Sequence, residues 1–314
     1  MENLIFAATA VAPLFGVMAV GYVLSRSGFF SGCMLADFNR FVFRIALPCL
    51  LFVQAYQTDF SAGNGLKLPL FGAITAVALV AVLWALVPRV VTNPRRASAI
   101  IQGVYRTNIA LFGLPLAINL FGEGNTGDMV LMVAFMVPLF NVIAVVLLSS
   151  FAGGVVKPSW NSILKDILKN RLIWGVLLGL CVTLAGIKLP TIILKPISDL
   201  GATATPLSML CLGGTFSFRS ASGNRRALFW SCILRLVAVP AAAVALGLAV
   251  GFRGPAIGAI FIVFGAPTAA SSYIMAQSMG SDGDLAGEIV VFTTMMSVFS
   301  IFIGIVALRG FGII

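Results

Sequence analysis

The chain has 314 residues, of which 60% are hydrophobic and 10% are charged, with 20 Lys and Arg against 10 Asp and Glu. Soluble domains carry about 25% charged residues, so this composition excludes a soluble globule and a disordered chain. The basic residues are scattered through short connections between apolar stretches. This placement is typical of membrane topology signals rather than of a nucleic-acid-binding patch. The five cysteines have no metal-ligand spacing, so no nucleic-acid partner, metal or cofactor is expected.

Apolar stretches of membrane-spanning length recur along the whole chain and predict ten transmembrane helices. Helices are required because each backbone N–H and C=O group in lipid needs a partner, and these continuous stretches lack the alternation of barrel strands. The predicted fold class is therefore an all-α polytopic membrane protein. The predicted spans are residues 4–25, 38–57, 68–88, 97–121, 129–151, 171–188, 199–218, 227–250, 255–279 and 285–308.

The distribution of basic residues between the two sides of the membrane predicts the orientation of the chain. The first connection and every second one after it hold twelve Lys and Arg, whereas the opposite side holds five. Cytoplasmic loops carry the excess of Lys and Arg. Both termini are therefore expected on the extracytoplasmic side.

A six-residue pattern, F-G-x-P-x-A, occurs at Phe112–Ala117 in the fourth span and at Phe264–Ala269 in the ninth. Each copy is followed, after a short connection, by Gly-Asp. The offset is close to half the chain and predicts two five-helix repeats, residues 1–151 and 152–314. Because five is odd, the second repeat must be inverted in the membrane, an arrangement typical of secondary transporters. The alternative is chance, since Gly and Pro are common in membrane helices.

Two Gly-x-Pro sequences, at Gly113 and Pro115 and again at Gly265 and Pro267, predict breaks in the fourth and ninth helices. Proline removes a backbone donor, and it suits the first position of a new helix. Each proline is therefore expected to begin a second half-helix whose N-terminal amides face the break. Two such N-termini meeting near the midplane would attract an anion. The alternative is a pair of ordinary proline kinks.

Three motifs resemble the auxin efflux carrier family, which includes bacterial organic-acid carriers and the plant PIN carriers. The resemblance covers the whole ten-span layout, and the motifs occur in the family's order and spacing. The motifs are Asn39-Arg40-Phe41-Val42-Phe43 with Ala46-Leu47-Pro48 in the second span, Asn108 through Gly113-Leu114-Pro115-Leu116 in the fourth, and Pro267 through Tyr273 and Ala276 with Asp284 in and after the ninth.

The resemblance implies a bile-acid-symporter-like fold in which the broken helices four and nine cross. It also implies an elevator-type carrier. Helices 1, 2, 6 and 7 would form a scaffold that commonly forms a homodimer, and helices 3–5 and 8–10 would form the moving transport domain. The connection between the fifth and sixth spans, about twenty residues, is too short for the regulatory loop of the plant members. A bacterial-type carrier in the inner (plasma) membrane, in contact with lipid, is therefore expected.

Residues around the two breaks are candidates for substrate binding. Asn108 is the first, because its amide can donate to a carboxylate, although it can also join two helices. The hydroxyls of Thr268, Ser271 and Ser272 could hold an anion or a cation, or could bond back to the preceding turn. Tyr273 either shapes the pocket wall or packs in the core. The remaining candidates are Gly113, Leu114, Pro115, Ala266 and Pro267.

Charged side chains within the spans are expected in supporting roles. Arg106 precedes Pro115 by nine residues, about 13 Å along a helix, and is therefore expected at the cytoplasmic edge of the substrate path. Arg235 is expected to face the protein interior and to pair with a carbonyl or an acid. No acid lies centrally in a span, so no buried carboxylate that would relay protons is expected. Asp284 either supports the crossing helices or caps the tenth span. The other path or support candidates are Asn39 and Gln277.

These features together predict a secondary transporter of small organic carboxylate anions. The substrate would be an acid like malonate, malate or lactate, or an auxin-like aromatic acid. An enzyme is not expected, since the chain has no His and no clustered Cys or central acids. The alternatives are a membrane-embedded ligand sensor and a channel. Uncoupled transport driven by the membrane potential fits the sequence better than proton or sodium coupling.

Overall fold

The computed structural model describes residues 2–57, 66–122, 126–151 and 171–314, and these are helical apart from short connections. The chain is thus all-helical over the described residues, in agreement with the expected fold class. In chain order the helices are α1 (Glu2–Arg26), α2 (Gly32–Phe41), α3 (Leu47–Tyr56), α4 (Lys67–Val90), α5 (Pro94–Tyr105), α6 (Ile109–Phe121), α7 (Gly127–Phe151), α8 (Arg171–Leu184), α9 (Thr191–Ala202), α10 (Ala204–Thr215), α11 (Phe218–Gly223), α12 (Arg225–Ile233), α13 (Val239–Val250), α14 (Pro255–Gly265), α15 (Ser271–Ser278) and α16 (Gly283–Gly310).

Four helical stretches of the described residues are long and apolar enough to cross a membrane. They are α4, α7, α16 and the continuous stretch Arg225–Val250, which contains α12 and α13. Shorter apolar helices accompany them at Phe15–Arg26, α8 and α14. An apolar helix of this length satisfies its own backbone groups while it crosses hydrocarbon. The protein is therefore a multi-pass helical membrane protein.

Two short π turns let prolines lie inside long helices. The turn Val42–Ala46 joins α2 to α3 just before Pro48, and the turn Leu234–Ala238 joins α12 to α13 just before Pro240. A proline in a regular helix clashes with the carbonyl four residues earlier and lacks the N–H to bond it. In each π turn the backbone bonds shift to the fifth residue back, which accommodates the proline. The second turn contains Arg235 and directs it into the interior, where it is fully buried.

Glycines allow two helix pairs to approach closely. α1 packs along α10, where Gly21 lies against the backbone of Leu210 and Gly213 against that of Met18. α3 packs along α8, where Gly175 lies against the backbone of Pro48. Small residues are typical of membrane helix contacts, because helices in lipid associate through close packing rather than through the hydrophobic effect.

The fourth and ninth predicted spans are each interrupted. Residues 106–108 separate α5 from α6, and residues 266–270 separate α14 from α15. The second interruption includes Pro267, and Ala266 before it is extended with φ −62° and ψ 150°, as expected for a residue that precedes proline. α15 begins only at Ser271, so Pro267 lies within the interruption and does not begin the half-helix.

The first interruption differs from the prediction. α6 runs from Ile109 to Phe121 and includes Gly113 and Pro115, so the helix breaks before Ile109 and not at Pro115. Proline in a membrane helix does not end it where neighbouring groups compensate for the lost bond. The break lies instead where the backbone finds partners on the other interrupted helix. The side chains of Leu114 and Pro115 lie outside the described residues.

Candidate functional site

The two interruptions meet inside the protein and pair as short antiparallel segments, with Thr107 opposite Thr268. The N–H of Asn108 donates to the carbonyl of Pro267 at 2.8 Å, and the N–H of Ala269 donates to the carbonyl of Arg106 at 3.2 Å. Irregular backbone at membrane depth is tolerated where it is buried in protein or lines a cavity. Each interruption therefore satisfies backbone groups that the other leaves without a helical partner.

Side chains hold the carbonyl ends of α5 and α14 at this crossing. Arg235 donates from Nε to Ala266 O at 2.9 Å and from Nη1 to Val104 O at 3.0 Å, and its Nη2 also donates to Ala266 O. Thr268 Oγ1 donates to Gly103 O at 2.7 Å. The C-terminal end of a helix carries partial negative charge, so a buried cation is stabilised there. The expectation that Arg235 faces inward and pairs with a carbonyl is confirmed.

A cavity of about 230 Å³ opens beside the crossing. Residues of both interruptions, of α7, of α3 and of the start of α10 line the cavity. Both interruptions therefore contribute to its wall. Polar lining residues include Arg106, Asn108, Asn141, Thr205 and Ser271.

Arg106 brings a buried positive charge to this cavity. It is 4% exposed, and it donates from Nη2 to Asn141 Oδ1 at 2.6 Å and from Nη1 to Ser272 Oγ at 3.5 Å. Both partners are neutral, and within the described ranges no ion pair involves Arg106. The helix breaks at residues 106–108, so the helical distance between Arg106 and Pro115 does not apply. The position of Arg106 at the cytoplasmic edge stays a prediction.

The N-terminal ends of two helices open on the same cavity. α6 begins at Ile109 and α15 at Ser271, and both residues line the cavity. Helix N-termini present free N–H groups and partial positive charge, which favour anions. Asn108, at the start of α6, makes no capping hydrogen bond with its side chain and lines the cavity. Two predicted binding residues, Asn108 and Ser271, are thus brought together with Arg106.

Other predicted binding residues support the crossing without lining the cavity. Thr268 is fully buried, and its hydroxyl donates to the carbonyl of Gly103 in α5. It therefore satisfies a backbone acceptor at the break between α5 and α6. Ala266 and Pro267 supply carbonyls to Arg235 and Asn108. Ser272 accepts from Arg106. The glycines Gly113 and Gly265 lie inside α6 and at the end of α14.

Tyr273 lies at a second, smaller cavity of about 40 Å³, which it shares with Thr215, Asp284 and Glu288. The Tyr273 hydroxyl is 2.9 Å from Thr215 Oγ1 and accepts from Asn39 Nδ2 at 3.3 Å. Tyr273 and Asn39 are therefore brought together by the fold, but away from the crossing cavity. Gln277 lies farther out in a polar cleft that also includes Asp284.

The acids at the start of α16 show two features that the sequence did not indicate. Asp282 is the cap, since its Oδ1 accepts from the N–H of Leu285 at 3.0 Å, and Asp284 is not. Glu288, one turn after Asp284, is 2% exposed. This burial arises because the start of α12 covers Glu288, where Asn224 donates to it at 2.8 Å.

Sequence reasoning missed the partner of Arg106. Asn141 is the single polar side chain in the apolar stretch 129–148, and its Nδ2 donates to Val137 O at 2.7 Å. A lone amide in a membrane helix marks a polar contact inside the bundle, so the sequence could have indicated that Asn141 makes one. Nothing in the sequence, however, indicates that Arg106 is its partner.

Comparison with known proteins agrees with these features. Residues 6–305 match the family described as "Membrane transport protein". A protein of Methanothermobacter thermautotrophicus named "Uncharacterized transporter" is 26% identical over 289 residues, which are 91% of this chain and 93% of that protein. A protein of Rhizobium meliloti named "Putative malonate transporter" is 23% identical over 296 residues, which are 92% of this chain and 91% of that protein. The chain therefore belongs to this membrane transport protein family, the auxin efflux carrier family that its motifs resemble.

Proposed function

We propose that the protein is a secondary carrier of small organic carboxylate anions that bind in the cavity at the helix crossing. The observation that carries this proposal is Arg106, a buried cation that lines the cavity and has only neutral hydrogen-bond partners. A buried charge needs a counter-charge or a full set of hydrogen bonds. A carboxylate in the cavity would supply that counter-charge.

The surroundings of Arg106 favour an anion over other ligands. The N-terminal ends of α6 and α15 add partial positive charge from two directions. The Asn108 amide can donate to one carboxylate oxygen, and guanidinium can bind the same group through two parallel hydrogen bonds. Among the described lining residues there is no acid to oppose this charge.

The size of the cavity favours a small acid. Its volume of about 230 Å³ is below the ~300–1,000 Å³ of pockets that hold drug-sized ligands. Malonate, malate or lactate suits this space better than an indole acid. The name of the Rhizobium meliloti relative points to the same class. We therefore place malonate first in the substrate panel.

The cavity's position supports an elevator mechanism. We propose that α1–α3 and α8–α10 form the scaffold, and that α4–α7 and α12–α16 form the transport domain. Arg106 and both interruptions belong to the transport domain, whereas α3 and the start of α10 face them from the scaffold. Sliding the first group past the second would carry the bound anion across the membrane.

The inverted repeat is part of the same proposal. Thr107 and Thr268 pair across the crossing, and α5 and α14 both begin with proline, at Pro94 and Pro255. Each pair is separated by 161 positions, whereas the two F-G-x-P-x-A copies are separated by 152. We propose repeats 1–151 and 152–314 with the half-helices as equivalent elements, in a homodimeric carrier of a bacterial inner membrane with both termini outside.

Charge displacement by the purified protein in liposomes, on a solid-supported membrane, tests the proposal. The panel is malonate, malate, lactate and indole acetate. A saturable current is expected for one of the small acids, and indole acetate should give the weakest. If folded protein gives no current with any acid, the carrier proposal is wrong, and a current that never saturates would indicate a channel.

Arg106→Gln is the decisive variant in this assay. Removing one partner of a buried charge contact costs about 2–5 kcal/mol, so substrate affinity should fall by at least about tenfold. Arg253→Gln is the control, because Arg253 is also a cation but is bonded only to local carbonyls at the end of α13. Equal currents from both variants would exclude the crossing cavity as the anion site.

A further inference from the structure

Glu288 is a buried carboxylate that the anion site does not use. Its Oε2 accepts from Asn224 Nδ2 at 2.8 Å, and its Oε1 is buried without a hydrogen-bond partner. Asn224 in turn accepts from Arg96 Nη2 at 2.7 Å. Arg96 thus reaches the carboxylate only through a neutral amide. Within the described residues no Lys or Arg pairs directly with Glu288.

Residues that line the second cavity place further oxygen atoms near this carboxylate. It holds about 40 Å³, which exceeds the ~10–15 Å³ that one water molecule requires. Asp284 lines it one helical turn before Glu288, so two carboxylates approach the same space. Like charges at this spacing repel each other on a helix. A positive charge in the cavity is needed to keep both carboxylates ionised there.

The Tyr273 hydroxyl completes the set as an acceptor. Thr215 Oγ1 lies 3.0 Å from the carbonyl of Cys211, to which it donates. The hydroxyl proton of Tyr273 is then directed to Thr215, at 2.9 Å, and Asn39 Nδ2 donates to the Tyr273 oxygen at 3.3 Å. A further lone pair of that oxygen stays available to a cation.

We propose that a small monovalent cation binds in this second cavity, held by the carboxylates of Glu288 and Asp284 and by the Tyr273 hydroxyl. Hard cations prefer oxygen ligands of this kind. These ligands, two carboxylates and one tyrosine hydroxyl among the described lining residues, are fewer than the roughly six to eight oxygen ligands that Ca²⁺ takes, so the proposal is a singly charged cation. The inference rests on the proposed function, since it assigns a coupling ion to the same carrier.

The position of the site gives the cation a role in transport. Thr215 and Asn39 belong to the proposed scaffold, whereas Tyr273, Asp284 and Glu288 belong to the proposed transport domain. A cation here therefore stabilises one alignment of the two groups of helices. Its release would free the transport domain to move, so the ion and the organic anion would be linked through the same conformational change.

Equilibrium binding of radioactive Na⁺ to the purified protein, without any organic acid, tests the site directly. Wild-type protein should bind Na⁺ saturably with a stoichiometry near one. Glu288→Gln keeps the shape and the Asn224 contact but removes the charge, so affinity should fall by about tenfold or more. Asp199→Asn is the control, because Asp199 is an exposed acid paired with Lys195 on α9. It should bind Na⁺ as the wild type does.

Size-exclusion profiles of both variants establish that they are folded, so that a loss of Na⁺ binding can be attributed to the lost carboxylate. Absence of saturable Na⁺ binding to wild type, or wild-type affinity in Glu288→Gln, would overturn the inference. Since no organic acid is present, the assay is independent of the carrier proposal. A malonate current that persists without Na⁺, together with no Na⁺ binding, would contradict the cation site and leave the carrier proposal standing. Na⁺ binding without a current from any acid would support the cation site and contradict the carrier proposal.

Discussion

At the scale of single residues, two buried arginines have different surroundings, and we propose different roles for them. Arg235 bonds to Ala266 O and Val104 O, so its charge is used by the ends of two helices. Arg106 has one amide and one hydroxyl as partners and lines the cavity. The same side chain thus stabilises the fold at one position and leaves charge available to a ligand at the other.

Replacing Arg235 with methionine should destabilise the protein. Arg235→Met fills similar space but leaves the carbonyls of Val104 and Ala266 without this donor, and each unsatisfied buried acceptor costs about 1–3 kcal/mol. The apparent Tm should fall by about 5 °C or more, measured by thermal unfolding in detergent at one scan rate. Arg225→Met is the control, since Arg225 is exposed at the start of α12. If the two variants melt together, the carbonyl contacts of Arg235 do not hold the crossing.

The sequence is informative about single residues where the cause is local. The extended Ala266 follows from the proline after it, and the inward direction of Arg235 follows from the cost of a charge in lipid. The place of Arg106 at a helix break beside the cavity could not be predicted, because that break depends on pairing between Asn108 and Pro267, which are far apart in the chain. The burial of Glu288 depends in the same way on Asn224.

At the scale of helices, apolar length located two long spans closely, whereas the break predicted in the fourth span was misplaced. The predicted span 68–88 lies within Lys67–Val90, and 285–308 lies within Gly283–Gly310. The break expected at Pro115 lies instead at residues 106–108, because a proline alone does not end a helix that keeps its other backbone bonds. A break requires both a local weakness and a partner for the exposed backbone.

Close packing of α1 on α10 makes a prediction at this scale. A Cβ at Gly21 would overlap the carbonyl oxygen of Leu210, whereas nothing lies within 4 Å of a Cβ at Gly16 on the same helix. Gly21→Ala should therefore destabilise by about 1–3 kcal/mol, since backbone cannot move aside as a side chain can. Gly16→Ala should be neutral or stabilising, because alanine favours helix over glycine.

Thermal unfolding and membrane expression of the two glycine variants provide the measurement. A lower Tm is expected for Gly21→Ala and an unchanged or higher one for Gly16→Ala. Equal behaviour would mean that α1 and α10 are free to separate. They would then be unsuited to a rigid scaffold.

At the scale of the molecule, the proposed scaffold and the proposed transport domain meet at both cavities. Within one group, α4 and the end of α13 are linked by the rings of Phe71 and Phe252, with centroids 5.3 Å apart. Within the other, α3 packs on α8 and α9. Between the groups, the crossing cavity and the hydroxyl contact of Tyr273 with Thr215 lie on the shared boundary. An elevator movement would change only this boundary.

Two spin-label pairs that share one position test this movement. Leu70 on α4 and Leu246 on α13 are both exposed, at 54% and 53%, in the proposed transport domain, and Ile192 on α9 is exposed at 83% in the proposed scaffold. With cysteines at these positions in a cysteine-free background, the distance between 70 and 246 should stay constant when malonate is added. The distance between 192 and 246 should shift by about 5 Å or more, the advance of one helical turn.

Pulsed electron resonance of protein in liposomes gives both distances. Movement of the second pair alone would support sliding of one rigid group past the other, because the shared label at 246 reports no internal change. Equal shifts in both pairs would mean that the transport domain deforms during the cycle. Two unchanged distances during malonate turnover would contradict the elevator, since the anion would then cross while both groups of helices keep their places.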